Sequence, residues 1–183
     1  MNDFTLNNGM RVFTALAGAL TLAGCGLMAA PESTGPSATA KLESTRGNTA
    51  TGVVTFREQG TRVIMVAKID GLKPGQEHGF HLHEKGDCSS GDGMSAGGHF
   101  NPSAKPHGPQ GGEHHAGDLP ALRADAAGHA ELQAELQGVT VTAGPSSVVG
   151  HGLIVHISPD DYATQPTGNS GARIACGVVT RNN

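Results

Sequence analysis

The stretch Thr61-Arg62-Val63-Ile64-Met65-Val66-Ala67-Lys68-Ile69-Asp70 decides the fold. It is rich in β-branched residues and runs into Gly71-Leu72-Lys73-Pro74-Gly75, a turn signal, so it reads as the clearest strand of the chain. Similar runs lie on both sides. Residues 39–45 and 50–57 are separated by Gly47-Asn48, and residues 79–84 form a short strand. Residues 119–124 and 129–136 flank Asp125-Ala126-Ala127-Gly128 as a hairpin, residues 147–157 form another strand, and residues 173–180 close the domain. Residues 130–137 have a helix-favouring composition, but Glu131, Gln133 and Glu135 alternate with Ala and Leu at period two, which makes them a strand. Seven or eight short strands with turns between them predict an all-β sandwich or flattened barrel. Residues 85–118 and 158–172 show no periodicity. Loops this long inside a compact domain need a cause, and metal ligation with a disulfide supplies one.

The composition agrees. With 28 Gly, 10 Pro, no Trp and 3% aromatic residues among 183, the chain is loop-rich, and its core must come from Val, Ile, Leu and Ala. Its net charge is −4, and losing residues 1–24 removes Asp3 and Arg11, one charge of each sign. No basic run exists, so nucleic acid is excluded as a partner. The apolar run 12–24 is too short to span a bilayer as a mature helix and reads as a targeting segment. It ends in Leu22-Ala23-Gly24-Cys25, which resembles the lipobox of bacterial lipoproteins; translation from Met10 would give a compact Met-Arg start. The resemblance implies cleavage before Cys25, lipid on its thiol and a place in the cell envelope outside the cytoplasm. The reading is therefore a signal peptide over 1–24, a Pro- and Ser-rich tether over 25–38 and a domain over 39–183. Of three cysteines, Cys88 and Cys176 then remain in an oxidising compartment, where a disulfide is expected.

Ten histidines are an excess, and seven of them lie between His78 and His115. His81 and His83, two apart in a strand, point to one face and can reach one ion, while Leu82 faces a core. His99, His107, His115 and Asp118 follow with H-x7-H-x7-H-x2-D spacing on the Gly- and Pro-rich loop. Three imidazoles and a carboxylate form a four-ligand set suited to zinc. His156 lies in a distant strand, and sites built of imidazole alone suit copper. Seven residues cannot fill two four-ligand sites unless one is shared, and a histidine is shared only as imidazolate. The other histidines receive plainer readings: His78 at a rim, His114 outside the spacing to Asp118, His129 at a hairpin, and His151 turned away by its odd offset from His156. Phe80 and Phe100 read as packing.

Four pieces make the chain resemble the copper/zinc superoxide dismutase family over nearly all of residues 39–183. They are Gly79-Phe80-His81-Leu82-His83-Glu84, Gly98-His99-Phe100-Asn101-Pro102, His115-Ala116-Gly117-Asp118-Leu119, and Gly168-Asn169-Ser170-Gly171-Ala172-Arg173-Ile174-Ala175-Cys176-Gly177-Val178-Val179. The resemblance implies an eight-stranded Greek-key barrel or sandwich with two long functional loops. It implies one copper per subunit on His81, His83, His99 and His156, one zinc on His99, His107, His115 and Asp118, and a Cys88–Cys176 disulfide. It implies that Asp160 hydrogen-bonds His81 and His107, that Arg173 guides the substrate and that Thr167 lines the channel opposite. The substrate is then superoxide, converted to O₂ and H₂O₂ by alternate reduction and oxidation of copper, with His99 taking and returning a proton. Zinc, a d¹⁰ ion, holds the site without redox change. The second loop carries Asp160 and Asp161 but no Lys or Glu, so electrostatic steering falls to Arg173, the ions and Lys85 or Lys105, and is expected to be weak. A rate constant climbing steeply at low salt would count against that expectation. Cys88 follows His83 by only five residues, which leaves subunit contacts open, a homodimer included. A metal-buffering lipoprotein on the same fold is the competing reading; storage has no use for Arg173.

Overall fold

The computed structural model describes residues 35–183 and Met1. The targeting segment, Met10, Cys25 and the tether as far as residue 34 lie outside the described residues. The strands are β1 (Ser37–Ser44), β2 (Thr51–Gln59), β3 (Arg62–Asp70), β4 (Glu77–His78), β5 (Phe80–His83), β6 (Leu122–Arg123), β7 (Ala130–Leu136), β8 (Gly152–His156) and β9 (Arg173–Arg181). A single 3-10 turn, Met94–Ala96, is the helical element among the described residues. The stretch that opens as the clearest strand is β3. Its Val63, Met65, Ala67 and Ile69 are fully buried, and Lys68 between them is exposed. Ala38, Ala40 and Leu42 of β1 and Val54 and Phe56 of β2 join the same core. Alternation thus puts one face of the sheet inward and one in water.

Every strand pair is antiparallel, and seven strands run in the order β5-β8-β9-β1-β2-β3-β7. The pair β4–β6 extends this order beyond β5, because β4 and β5 are one chain run interrupted at Gly79. Counted that way, eight strands form a curled sheet of β-barrel type. The ladder is continuous except between β6 and β7, which lie side by side. Residues 119–136 were expected as a simple hairpin. The turn is there, with Asp125 N–H donating to the His129 carbonyl at 2.7 Å. Its arms part, however: β6 pairs with β4, and β7 pairs with β3. The Asp125 carboxylate takes up the Ala127 and His129 amides, so the turn is closed by a side chain instead of a ladder.

Two further expectations change. The strand over 147–157 shrinks to β8, because Gly150 adopts φ 87° and Val148 donates to the Thr140 carbonyl. The non-periodic loop after β5 is not detached. Phe100 N–H donates to Leu82 O at 2.9 Å, and Leu82 N–H donates to Gly117 O at 2.9 Å. Segments around residues 99 and 118 therefore run along the free side of β5, with bridges His83↔His99 and His81↔Asp118. A side chain at Gly117 would meet Leu82 O at 2.3 Å, so this approach requires glycine.

Candidate metal centre

Strand β5 is buried on both faces. Phe80 and Leu82 enter the core. His81 and His83 alternate to the other face and are covered by the loops. Gly152, Ile154 and His156 of β8 turn to that same side, and a bulge between Val155 and His156 re-aims the last of them. Backbone pairing with the loop then sets His99 beside His83 and Asp118 beside His81.

Two four-residue groups result, each with its ligand atoms within 4.8 Å of one another: His81, His83, His99 and His156, and His99, His107, His115 and Asp118. His99 belongs to both. The hydrogen bonds show which nitrogen each ring reserves. His83 Nδ1–H donates to Gly97 O at 2.9 Å and His156 Nδ1–H to Gly171 O at 3.1 Å. His81 Nε2–H donates to Asp160 Oδ2 at 2.7 Å, and His107 Nε2–H to Asp160 Oδ1 at 2.9 Å. The opposite nitrogens, His81 Nδ1, His83 Nε2, His99 Nε2, His107 Nδ1 and His156 Nε2, are buried without a hydrogen-bond partner. Buried polar atoms are rarely left so, and five unpartnered ring nitrogens converging on one region fit metal ions.

The second group fits zinc in its spacings as well. Asp118 Oδ2 accepts from the amides of His115 and Gly108, which leaves Oδ1 to face the site. That oxygen stands 2.8 Å from His99 Nδ1, 3.0 Å from His107 Nδ1 and 3.2 Å from His115 Nδ1. A tetrahedron with metal–nitrogen bonds of about 2.0–2.1 Å has edges of about 3.3 Å. His107 Nδ1 is close to Oδ1 yet lacks hydrogen-bond alignment, as a fellow ligand would. The residues therefore fit a copper ion and a zinc ion.

Burial sets the charges. It pushes His81 down to about 4, against the opposing pull of the Asp160 bond, and His156 down to about 3, helped by His81. Burial and Arg173 hold His83 far below its ordinary range. For Asp118, burial acts upward, but the His99 hydrogen bond and the His107 and His115 rings outweigh it and keep the carboxylate ionised. These imidazoles have folded pKa values below the unfolded value of about 6.5. Their contribution to the stability of the metal-free protein is therefore complete above pH 6.5 and lost as pH falls toward 3. Thermal melts of metal-free protein between pH 7 and pH 3.5 are expected to show a steady fall in Tm beginning near pH 6; a flat profile would contradict it.

Asp160 ties His81 to His107 and also accepts from the Tyr162 amide at 2.8 Å. Thr167, half-buried, precedes Gly168 on the turn that packs against Asp160. Arg173 is half-buried at the head of β9, opposite His156. Its Nη1 and Nη2 donate to Gly93 O at 2.7 Å and Gly97 O at 2.6 Å. Gly97 O thus holds both His83 and Arg173. Cys88 and Cys176 are joined. His114 stays outside both groups, its Nδ1 on the His115 carbonyl. His129 is a surface residue hydrogen-bonded to Asp70.

His78 differs from expectation, and His151 meets it for another reason. His78 is not at a rim but buried, with 1% exposure, because β4 pairs with β6; its Nδ1–H donates to His156 O at 2.7 Å. His151 does not ligate, but strand parity is not the reason, since it precedes β8. Its Nδ1 lies 3.1 Å from His83 O and 3.0 Å from Glu84 O. Neither carbonyl partnership has a signal in the sequence beyond the surplus of histidine.

Gly168 carries a prediction. It has φ +66°, and a Cβ there would lie 1.8 Å from Asp160 Oδ1 and 2.5 Å from His107 Nε2. Gly168→Ala is expected to push Asp160 off His107, lowering Tm and weakening zinc retention by roughly 10- to 100-fold, the usual effect of losing an outer hydrogen-bond partner. Zinc release to a chromophoric chelator measures this, and unchanged release would refute it.

Comparison with known proteins agrees with the geometry. Residues 50–179 match the family described as Copper/zinc superoxide dismutase (SODC). The chain is 38% identical over 146 residues to the Superoxide dismutase (Cu-Zn) of Onchocerca volvulus, covering 73% of this chain and 90% of that protein. It is 39% identical over 147 residues to the Superoxide dismutase (Cu-Zn) 2 of Aquifex aeolicus, covering 76% and 84%. It is also 36% identical over 184 residues to the superoxide dismutase-like protein YojM of Bacillus subtilis, covering 90% and 93%. The crystal structure of a double mutant of a SOD-like protein from Bacillus subtilis superposes with TM-score 0.70 at 37% identity, covering 78% of this chain and 96% of that one. Fold, ligand clusters and similarity converge, and the chain belongs to the copper/zinc superoxide dismutase family.

Proposed function

We propose that this protein converts two superoxide ions and two protons to O₂ and H₂O₂, acting outside the cytoplasm from a lipid anchor at Cys25. The observation that carries the reading is the pair of buried ligand groups sharing His99, with five unpartnered ring nitrogens aimed into them. His81, His83, His99 and His156 would hold copper; His99, His107, His115 and Asp118 would hold zinc. Copper, when bound, supplies one-electron exchange with superoxide, and zinc adds fixed charge without redox change.

The chain does the rest. His99 Nε2 is buried among three other rings, so a proton placed on it is out of bulk water and available to the reduced product. His99 Nδ1 and Asp118 Oδ1, 2.8 Å apart, would both be held on the zinc side, so the ring would keep its place while Nε2 gains and loses that proton. Arg173 is pinned through two of its five N–H donors, leaving the others to orient a small anion. Asp160 keeps His81 and His107 in the tautomers the site needs. The address outside the cytoplasm is supported by the Leu22-Ala23-Gly24-Cys25 run and by the Cys88–Cys176 disulfide.

Metal analysis and a superoxide-consumption assay on the wild type and His156→Ala test the proposal. Wild-type protein with both ions should consume superoxide, and the variant should not. Activity that survives His156→Ala refutes the copper assignment. Bound metal without superoxide consumption would instead make this a metal-buffering protein.

A further inference from the structure

We propose that His151 is a positioning residue that holds His83 and His99 at the separation copper needs. The proposal rests on the copper assignment above. His151 sits just ahead of β8, and its backbone is anchored to β9: Val179 N–H donates to His151 O at 3.0 Å, and Gly150 N–H donates to Val179 O at 2.8 Å. From this fixed base the ring makes two contacts. Nδ1 lies 3.1 Å from His83 O and 3.0 Å from Glu84 O. Both partners are carbonyls, so Nδ1 carries the hydrogen and shares it between them. The ring face lies on Phe100, with centroids 3.9 Å apart and planes inclined by 33°.

Each contact leads to a ligand. His83 is itself in the copper group, and Phe100 directly follows His99, the ligand common to both groups. The Phe100 amide is in turn bound to Leu82 O, beside His83. One ring thus clips the end of β5 to the loop segment lying along it, and the rings of His83 and His99 meet 5.0 Å apart across that junction. Of the two ligands reached, His83 belongs to the copper group alone and His99 to both, so the influence falls more on copper than on zinc. His78 grips another residue of the copper group in the same way, through Nδ1 on the His156 carbonyl.

The test uses two complementary variants of the full domain. His151→Asn keeps an N–H where Nδ1 lies and loses the ring; His151→Phe keeps a ring against Phe100 and loses the N–H. Copper(II) affinity by chelator competition, the copper(II) paramagnetic resonance spectrum, zinc affinity and the Tm of metal-free protein are measured for each. The expected result is copper affinity at least about tenfold weaker, with altered hyperfine splitting, in His151→Phe, and a smaller loss of both in His151→Asn, which keeps the carbonyl contact and gives up the grip on Phe100. Zinc affinity should fall by less than copper affinity in both, because His83 belongs to the copper group alone. Wild-type copper affinity and spectrum in His151→Phe would overturn the proposal, even with a lowered Tm, because the role would then be structural alone. Equal loss of copper and zinc in both variants would also overturn it. Failure of the wild type to bind copper is a separate outcome, which overturns the site assignment itself.

Discussion

Replacing His99 with alanine is expected to weaken copper and zinc together, by more than about 100-fold each, and to remove superoxide consumption. The figure is a lower bound, because losing only an outer partner of a ligand already costs roughly 10- to 100-fold. His99 is the one residue common to the two ligand groups. Its Nδ1 sits 2.8 Å from Asp118 Oδ1, and its Nε2 is buried and unpartnered on the other side. Removing the ring leaves His81, His83 and His156 on one side and His107, His115 and Asp118 on the other. Three ligands still bind an ion when water completes the shell, so residual binding is expected rather than none. The comparison that decides is with single-group variants. His156→Ala should weaken copper and spare zinc; His115→Ala should weaken zinc first. Metal content per chain after dialysis against a graded chelator series reads all three. Loss of only one ion from His99→Ala would mean that no ring is shared.

Severing the Cys88–Cys176 bond, by reduction or by Cys88→Ser, is expected to lower Tm by roughly 8 to 20 °C. The cross-link spans 88 residues, and closing so long a loop removes about 4 to 5 kcal/mol of chain entropy from the unfolded state. For a domain near 150 residues each kcal/mol shifts Tm by about 2–4 °C. The effect reaches the site as well. Cys176 lies in β9 three residues beyond Arg173, and Cys88 opens the loop that supplies the Gly93 and Gly97 carbonyls. Releasing the loop from β9 frees Arg173 and the Nδ1 side of His83 together. Calorimetry with and without reductant checks the first part; a fall in copper affinity on reduction checks the second. A Tm unchanged by reduction would refute both.

Which parts of this could be read from residues alone follows from what each part depends on. β3 and β7 follow from local alternation, β9 from a short apolar run of Ile, Ala, Cys and Val, and all three were legible. The His81–His83 pair was legible too, because a two-residue spacing has one meaning in a strand. The docking of the long loop was not. The residues around 99 and 118 carry no period, and they pair with β5 through backbone amides that any residue supplies. The split of the 119–136 hairpin was hidden for a related reason: both arms alternate as strands should, but the partner of each is decided by the barrel's closure. His78 was misplaced, and the contacts of His151 went unseen, because both use ring nitrogens on distant carbonyls, and such contacts leave no spacing to recognise. His114 and His115 were separable only through the interval to Asp118.

The break between β6 and β7 has a consequence beyond topology. A cylinder with one unzipped line exposes two strand borders, each able to recruit a foreign chain into an intermolecular sheet. Here those borders face one another, and the first is two residues long. The second carries outward Glu131 and Glu135, tethered to Lys68 and Arg62 of β3. The fold is thereby guarded against aggregating at the place, among the described residues, where its wall is left unstitched.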